Sequence, residues 1–451
     1  MTKIFGHYMP FEMLLLWLVE ATLSFILIAG LLISGATSIT PLDGAPRVID
    51  LAALLVLAVG LSGSAIGLYR LETLLQTRRL LINTFIAALI ALPVTALLAA
   101  LFHTNLLGLL TAEGPLSLPR ILLAWVLCLL LTRFAFRFAL RRDIFTRRIL
   151  VVGGAGADTD RPLAPENSAF FTVSGQITDA RRAALSAETL RRRKIWGIVI
   201  TREARAVMPT EQLLLCKSAG IRIFSDVEFR ERQFRRVDLD RLCPEWLVFA
   251  EGAFASRFGQ ATKRGFDLAV SAGMLLVTLP LMLLTALLIK LDSPGPVFYR
   301  QERVGLHGKT FMLLKFRSMR TDAEAAGPVW ARTADPRVTR VGRFIRRTRI
   351  DELPQLLNVL RGEMSFVGPR PERPHFIAEL ARAIPRYHDR AFVKPGITGW
   401  AQVNFPYGAS IEDARMKLAY DLYYISHRNL FLDFLILFST VRVILLQEGS
   451  R

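Results

Sequence analysis

At 451 residues the chain has room for two or three domains. Hydrophobic residues make up 52% of it, and a mean hydropathy of +0.37 argues against a wholly soluble protein and for membrane segments. The formal charge of +19 fits nucleic acid, but fits an anionic membrane leaflet or a diphosphate ligand equally well. The three cysteines, Cys128, Cys216 and Cys243, have neither CxxC spacing nor a histidine cluster, so no disulfide framework or zinc site is implied.

Four apolar runs open the chain, at about 11–34, 49–69, 79–102 and 119–140. Each approaches the roughly 20 residues of a spanning helix. Arg70, Arg78 and Arg79 lie in the second loop, and Arg141, Arg142, Arg147 and Arg148 follow the fourth run. The first and third loops carry few basic residues, so the positive-inside bias puts both ends of this bundle in the cytoplasm. The first run is too long for a cleaved signal peptide, and three more follow it. Glu20 lies within it and is a candidate functional group by its depth. The plainer reading is an acid hydrogen-bonded within the bundle.

From Arg148 the pattern changes. ILVVGGAGAD reads as a strand and a glycine turn, KIWGIVIT and GIRIFSD as further strands, and EQLLLCKSAG as a helix between them. Gly154 and Gly156 are present, but Thr159 stands at the third-glycine position; Asp179 would be the ribose acid. With the fingerprint degraded, a doubly wound structural or regulatory domain is favoured over a working dinucleotide site. The segment SDVEFRERQFRRVDLD is charge-rich and reads as surface, leading through Trp246 and Phe254 to the next domain.

Phe266 to Ile289 is again long enough to span, with Pro280 in its middle. Lys263 and Arg264 precede it; Lys290, Arg300, Arg303, Lys309 and Lys315 follow. Basic residues on both flanks contradict a single crossing, whereas a helix that enters, bends and returns satisfies both. An ordinary fifth span is the competing reading. The closing run, Asn429 to Leu446, contains Asp433 and Arg442 and reads as a helix lying in the interface.

Between these runs lies Arg340 to Pro371, RVGRFIRRTRIDELPQLLNVLRGEMSFVGPRP. Asp351 and Glu352 follow Arg340, Arg343, Arg346, Arg347 and Arg349; Leu353, Leu356, Leu357 and Leu360 then recur on one helical face. Asp351 falls at or near that helix's start, and Pro354 suits its first turn. An acid beside free N–H groups and guanidinium forks is a place where phosphate oxygens meet a carboxylate. Taken alone, the segment reads equally well as an N-capping acid among exposed arginines.

KRGFD at Lys263, KFRSM at Lys315, the acid pair, SFVGPRP at Ser365 and KPGITGWAQVN at Lys394 occur in a fixed order. In that order they resemble the bacterial sugar transferases known as polyprenyl-phosphate hexose-1-phosphate transferases, or monotopic phosphoglycosyl transferases. The resemblance is close over residues 261–424 and looser upstream, where it follows the family's longer members. It implies a membrane protein of mixed class in three parts. These are a four-helix transmembrane bundle over 1–144, a Rossmann-like α/β domain over 145–255 and an α-rich catalytic domain over 256–451. The last would carry a re-entrant helix over 265–291 broken at Pro280, where Leu279 stands in place of the family's usual serine.

Asp351 can attack the sugar-bearing phosphorus of a nucleoside diphosphate sugar to form an acyl phosphate. Glu352 offers a hard oxygen ligand for Mg²⁺. The resemblance assigns the same roles and implies that UMP leaves before polyprenyl phosphate attacks. Arg346 matches the family's phosphate-binding arginine, Lys315 and Arg317 fall in its basic element, and Arg370 stands between two prolines. Arg343 and Arg347 are further phosphate contacts, and Trp400, Gln402 and Asn404 either touch uridine or sugar or simply belong to a tightly packed glycine turn.

The expected function is therefore transfer of a hexose 1-phosphate from a UDP-sugar to undecaprenyl phosphate at the cytoplasmic face of a bacterial inner membrane, initiating an exopolysaccharide or surface glycan. Membrane lipids are expected partners, nucleic acid is not, and the family's large members point to a homodimer. Two other readings stand: an inverting glycosyltransferase releasing UDP, and a nucleotide-sensing membrane scaffold without activity.

Overall fold

The computed structural model describes residues 2–4, 7–36, 45–101, 118–153, 163, 170–179, 185–242, 246, 252, 256–323, 335–406, 408 and 410–445. Gly154, Gly156, Thr159, Cys243 and Phe254 lie outside them. The chain divides into two compact units, the first running to Phe234 and the second from Arg235 to Arg451.

The first unit opens with α1 (Phe11–Ala36), α2 (Ala45–Ile66), α3 (Leu71–Leu75), α4 (Thr77–Leu101) and α5 (Leu118–Arg141). Phe11–Ile33, Thr77–Leu98 and Pro119–Arg141 are long and apolar enough to cross a membrane, as is Arg257–Asp292 in the second unit; the apolar part of α2, Ala52–Ile66, is shorter. Ala52, Ala58, Ala87 and Ala91 are wholly buried, while Leu18, Ile26, Phe85, Leu97 and Leu131 point outward. Small residues inside and large apolar ones outside is how helices associate in lipid, where close backbone packing replaces a hydrophobic drive. Ser62, Thr84 and Thr95 turn their hydroxyls back onto carbonyls one turn earlier, so these three groups do not meet the apolar surroundings bare.

Glu20 is satisfied within this bundle. One of its oxygens accepts from Arg133 at 2.8 Å and the other from Thr132 at 3.2 Å. Arg133 also donates to the Leu68 carbonyl at 2.7 Å and lies over the Tyr69 ring. The acid is thus an interhelical pin.

The same unit holds β1 (Arg147–Val152), β2 (Phe171–Ile177), β3 (Ile195–Ile200) and β4 (Arg222–Ser225), all parallel, in the order β2-β1-β3-β4. Helices α6 (Ala187–Arg192), α7 (Arg202–Val207) and α8 (Thr210–Ser218) lie between the later strands. Three of the strands and α8 fall where the apolar runs place them, while β2, half exposed and lacking a continuous apolar run, carries no comparable signal. A core of Leu150, Val152, Ile198, Ile200 and Cys216 lies on one face of the sheet. On the other, Ile149, Phe171, Val199, Phe224 and Phe229 pack with Met13, Leu74, Phe136 and Leu140 of the helices. The charge-rich segment forms α9 (Asp226–Phe234), which buries Asp226, Phe229 and Arg230 rather than lying wholly at the surface.

In the second unit α10 spans Arg257–Asp292 as one helix with Pro280 inside it. Ser256 caps its start by accepting from the Gly259 N–H. Near that start Lys263 pairs with Asp433 at 2.8 Å and Asp267 at 3.1 Å. Arg264 donates to the carbonyls of Val359 and Leu360. At the far end Asp292 accepts from the Val341 N–H at 3.1 Å, and Ile289 is buried with Phe316 and Ile345. Both ends are therefore held by the same unit, while Leu276, Val277, Leu283 and Leu291 between them are exposed.

A hairpin follows, β5 (Phe298–Val304) with β6 (Thr310–Phe316), then α11 (Arg340–Arg347), a 3₁₀ turn (Ile350–Glu352) and α12 (Gln355–Arg361). Strand β7 (Ser365–Val367) pairs in parallel with β8 (Gly396–Thr398). This pairing and the adjoining turn explain three glycines. A Cβ would stand 2.4 Å from the Lys394 carbonyl at Gly368, 2.1 Å from the Gly368 N at Gly396 and 2.2 Å from the Gly368 carbonyl at Gly399. Helix α13 (Pro374–Ala383) and the short α14 (Trp400–Asn404) lead to α15 (Ile411–Ser426), whose Ser410–Asp413 capping box starts a helix buried through Leu418, Leu422, Tyr423 and Tyr424. The last helix, α16 (Leu430–Leu445), buries Asp433 and Arg442 and exposes Phe434, Ile444 and Leu445. Its two charged side chains face the protein beside Leu432 and Ile436, and its outer face carries large apolar ones, as suits a lipid boundary.

Candidate active site

Helix α11 starts where Thr339 accepts from the Gly342 N–H at 2.9 Å. It ends at Thr348, and Arg349 then takes a left-handed conformation with φ 59°. That conformation costs a non-glycine residue about 1–2 kcal/mol, and it turns the chain into the 3₁₀ turn carrying the acids. Leu353 and Leu356 bond back three residues, to Ile350 and Leu353, so α12 starts at Gln355 instead of at the acids. Asp351 and Glu352 are both 8% exposed.

Three cations converge on one oxygen. Glu352 Oε1 lies 2.9 Å from Lys315 Nζ, 3.2 Å from Arg370 Nη2 and 3.9 Å from Arg349 Nη1. Burial alone would raise the Glu352 carboxyl, yet Lys315, Arg370 and Arg349 hold it well below the usual carboxylate range. For Asp351 burial wins: it pushes the carboxyl up and the neighbouring Glu352 charge adds to this, against Lys315, Arg346 and Arg349. Burial also lowers Lys315, opposed by both acids. Adjacent carboxyls are thus driven apart, one fully ionised and one made more basic.

Asn358, fully buried, locks this arrangement. Its Oδ1 accepts from the Leu314 N–H at 3.0 Å, and its Nδ2 donates to the Met312 carbonyl at 2.8 Å and to Glu363 at 2.6 Å. It clamps β6 to α12, and so places Lys315 against Glu352. A second clamp acts on Arg370, whose carbonyl accepts from Arg390 at 2.9 Å; Arg390 also binds Asp421 at 2.8 Å and the Tyr387 hydroxyl at 2.8 Å. Sequence reasoning missed both. Asn358 left a signal, a lone amide within the apolar run of α12; Arg390 and Asp421 left none.

Of the residues expected at the site, Asp351, Glu352, Lys315 and Arg370 come together, and Arg346 lies close enough to influence Asp351. Gln402 lines the same cavity as Glu352 and Arg370, a space of about 180 Å³. Arg317 goes elsewhere: its guanidinium donates to the Pro294 carbonyl at 2.8 Å and the Ser293 carbonyl at 2.6 Å, closing the end of α10. Arg343 and Arg347 sit on the exposed face of α11. Trp400 is buried, donates to the Arg235 carbonyl and stacks on Tyr423, and Asn404 bonds within its own turn, which favours the packing reading of this segment.

Residues 258–447 match the sequence profile of the bacterial sugar transferases. An exopolysaccharide production protein PSS of Rhizobium leguminosarum bv. phaseoli is 46% identical over 188 residues, 40% of this chain and 92% of that protein. The chain belongs to the bacterial sugar transferase family. A UDP-N-acetylgalactosamine-undecaprenyl-phosphate N-acetylgalactosaminephosphotransferase of Aeromonas hydrophila is 44% identical over 239 residues, 53% of this chain and 56% of that protein. An undecaprenyl-phosphate glucose phosphotransferase of Komagataeibacter xylinus is 46% identical over 216 residues, 44% of this chain and 40% of that protein. The chain thus spans about half the length of these two larger family members, and every site residue named above lies within the 258–447 match.

Proposed function

We propose that the chain transfers a hexose 1-phosphate from a UDP-sugar to undecaprenyl phosphate through a covalent intermediate on Asp351, so initiating an exopolysaccharide or surface glycan. The observation that carries this reading is the divided acid pair: a buried, more basic Asp351 beside a Glu352 held ionised by Lys315 and Arg370. Undecaprenyl phosphate is named in the activities of the Aeromonas and Komagataeibacter relatives.

In the first step an Asp351 oxygen attacks the sugar-bearing phosphorus, the bond to the bridging oxygen breaks and UMP leaves with that electron pair. In the second an oxygen of the lipid phosphate attacks the same phosphorus, the aspartyl–phosphate bond breaks and Asp351 returns to its carboxylate. Lys315, Arg346, Arg349 and Arg370 oppose the charge of the phosphates throughout. The acid pair fits Mg²⁺ bound through Glu352, because all three of its ion pairs fall on Oε1. Among the described residues no cluster of three metal-ligating side chains forms, and Mg²⁺ commonly takes one or two carboxylates and fills its shell with water and phosphate. Bound there, the ion would offset diphosphate charge.

The anchoring of both ends of α10 in one unit supports a re-entrant helix, with the bilayer contacted by its exposed middle and by α16. The strand order β2-β1-β3-β4 supports a Rossmann-like domain. We place the site at the cytoplasmic face of the bacterial inner membrane, in a chain acting as a homodimer. Purified protein incubated with UDP-sugars and undecaprenyl phosphate should release UMP. Release of UDP would identify an inverting glycosyltransferase, and release of neither nucleotide a scaffold.

A further inference from the structure

The cavity beside Glu352 has two kinds of lining. Arg349, Glu352, Arg370, Gln402 and Lys417 supply charged and polar groups. In contrast, α10 and α16 contribute Met274, Val443 and Ile444 and a single hydroxyl, that of Thr440, which is already bonded to Thr398 and to the Ile436 carbonyl. Met274 belongs to α10 and Val443 and Ile444 to α16, both of which expose large apolar side chains. Ile444 both lines the cavity and is 41% exposed, so the wall passes without a break into the outer face of α16.

A ligand lying along the α10 and α16 wall meets cations at one end and apolar surface along its body. Uridine and sugar hydroxyls lose free energy when buried without hydrogen-bond partners, and this wall offers them none. A hydrocarbon chain gains from the same burial. Beyond the first units a long tail would continue along the exposed face of α16. We infer that Met274, Val443 and Ile444 seat the phosphate-proximal isoprene units of the acceptor, with its phosphate directed at Arg349 and Arg370. This rests on the reading above that the acceptor is a polyprenyl phosphate.

Full-length protein in phosphatidylglycerol–phosphatidylethanolamine nanodiscs can be irradiated with a short isoprenyl phosphate bearing a diazirine on its first isoprene unit. Labelling should fall on α16 near Ile444 or on α10 near Met274, and undecaprenyl phosphate should compete it away. Labelling confined to other segments, labelling that excess undecaprenyl phosphate does not reduce, or none at all would overturn the assignment. This experiment needs no turnover, so its result stands apart from the fate of the covalent mechanism. Kinetics supply a second arm: Met274→Gln and Ile444→Asn should raise KM for undecaprenyl phosphate about tenfold while KM for the UDP-sugar stays within about twofold. An unchanged acceptor KM, or equal rises in both, would count against the wall.

Discussion

Two buried glutamates behave in opposite ways. Glu20 meets one guanidinium and one hydroxyl, a different oxygen for each, and Arg133 extends the contact to a backbone carbonyl and a ring. Glu352 instead gathers three cations on a single oxygen, with a second carboxyl next to it. The first arrangement is closed, one charge against one charge. The second is an excess of positive charge around a pair of acids, an arrangement suited to receiving further anions. Burial of a carboxylate therefore does not mark a reaction site; the balance of charge around it does.

The comparison breaks most sharply at Asp351. Asp351→Asn should lower turnover by roughly 10³-fold or more, because an amide is a poor nucleophile, and should leave no phospho-sugar adduct. Glu352→Gln should reduce turnover by about 10²-fold and raise the Mg²⁺ concentration needed, as followed by UMP release across a Mg²⁺ titration. Retention of the wild-type Mg²⁺ curve would remove Glu352 as the ligand.

The pH profile sharpens the same contrast. Burial raises the Asp351 carboxyl, and only its ionised form attacks. Turnover should therefore fall as pH drops through a limb lying above the usual aspartate range. Lys315 holds that carboxyl down, so Lys315→Met should move the limb to higher pH.

Glu20→Gln or Arg133→Met should act on stability alone. Breaking a buried pair by removing one partner costs about 3–5 kcal/mol, which thermal unfolding in detergent would register, while turnover per folded chain stays within about twofold. The smallest effect belongs to Arg343→Gln and Arg347→Gln on the exposed face of α11. A loss of about threefold that fades with added salt is expected there.

Much of this was legible in the sequence. The apolar runs marked the long helices, the ordered motifs marked the site, and the acid pair sits among the arginines beside it. Lys315 and Arg317 show where reading stops. Two residues apart in one basic motif, they would share a face if the strand continued, but β6 ends at Phe316. Lys315 then reaches Glu352 while Arg317 turns to the end of α10. Asp267 closes the KRGFD motif without any assigned role, yet it accepts from the Ser365 hydroxyl and the Phe366 N–H, tying α10 to β7. Partners about a hundred residues apart leave no local pattern. Arg390 and Asp421, 31 residues apart and on different elements, likewise share no local pattern.

The central claim is that Asp351 becomes covalently phosphorylated by the sugar donor. The direct measurement is mass spectrometry of the full-length protein after exposure to a UDP-sugar and Mg²⁺ with acceptor withheld. The account predicts one sugar-phosphate per chain on the peptide containing Asp351, matched by one equivalent of UMP and discharged when undecaprenyl phosphate is added. UMP formed only when acceptor is present, with no adduct at any time, or an adduct on another residue, would contradict it.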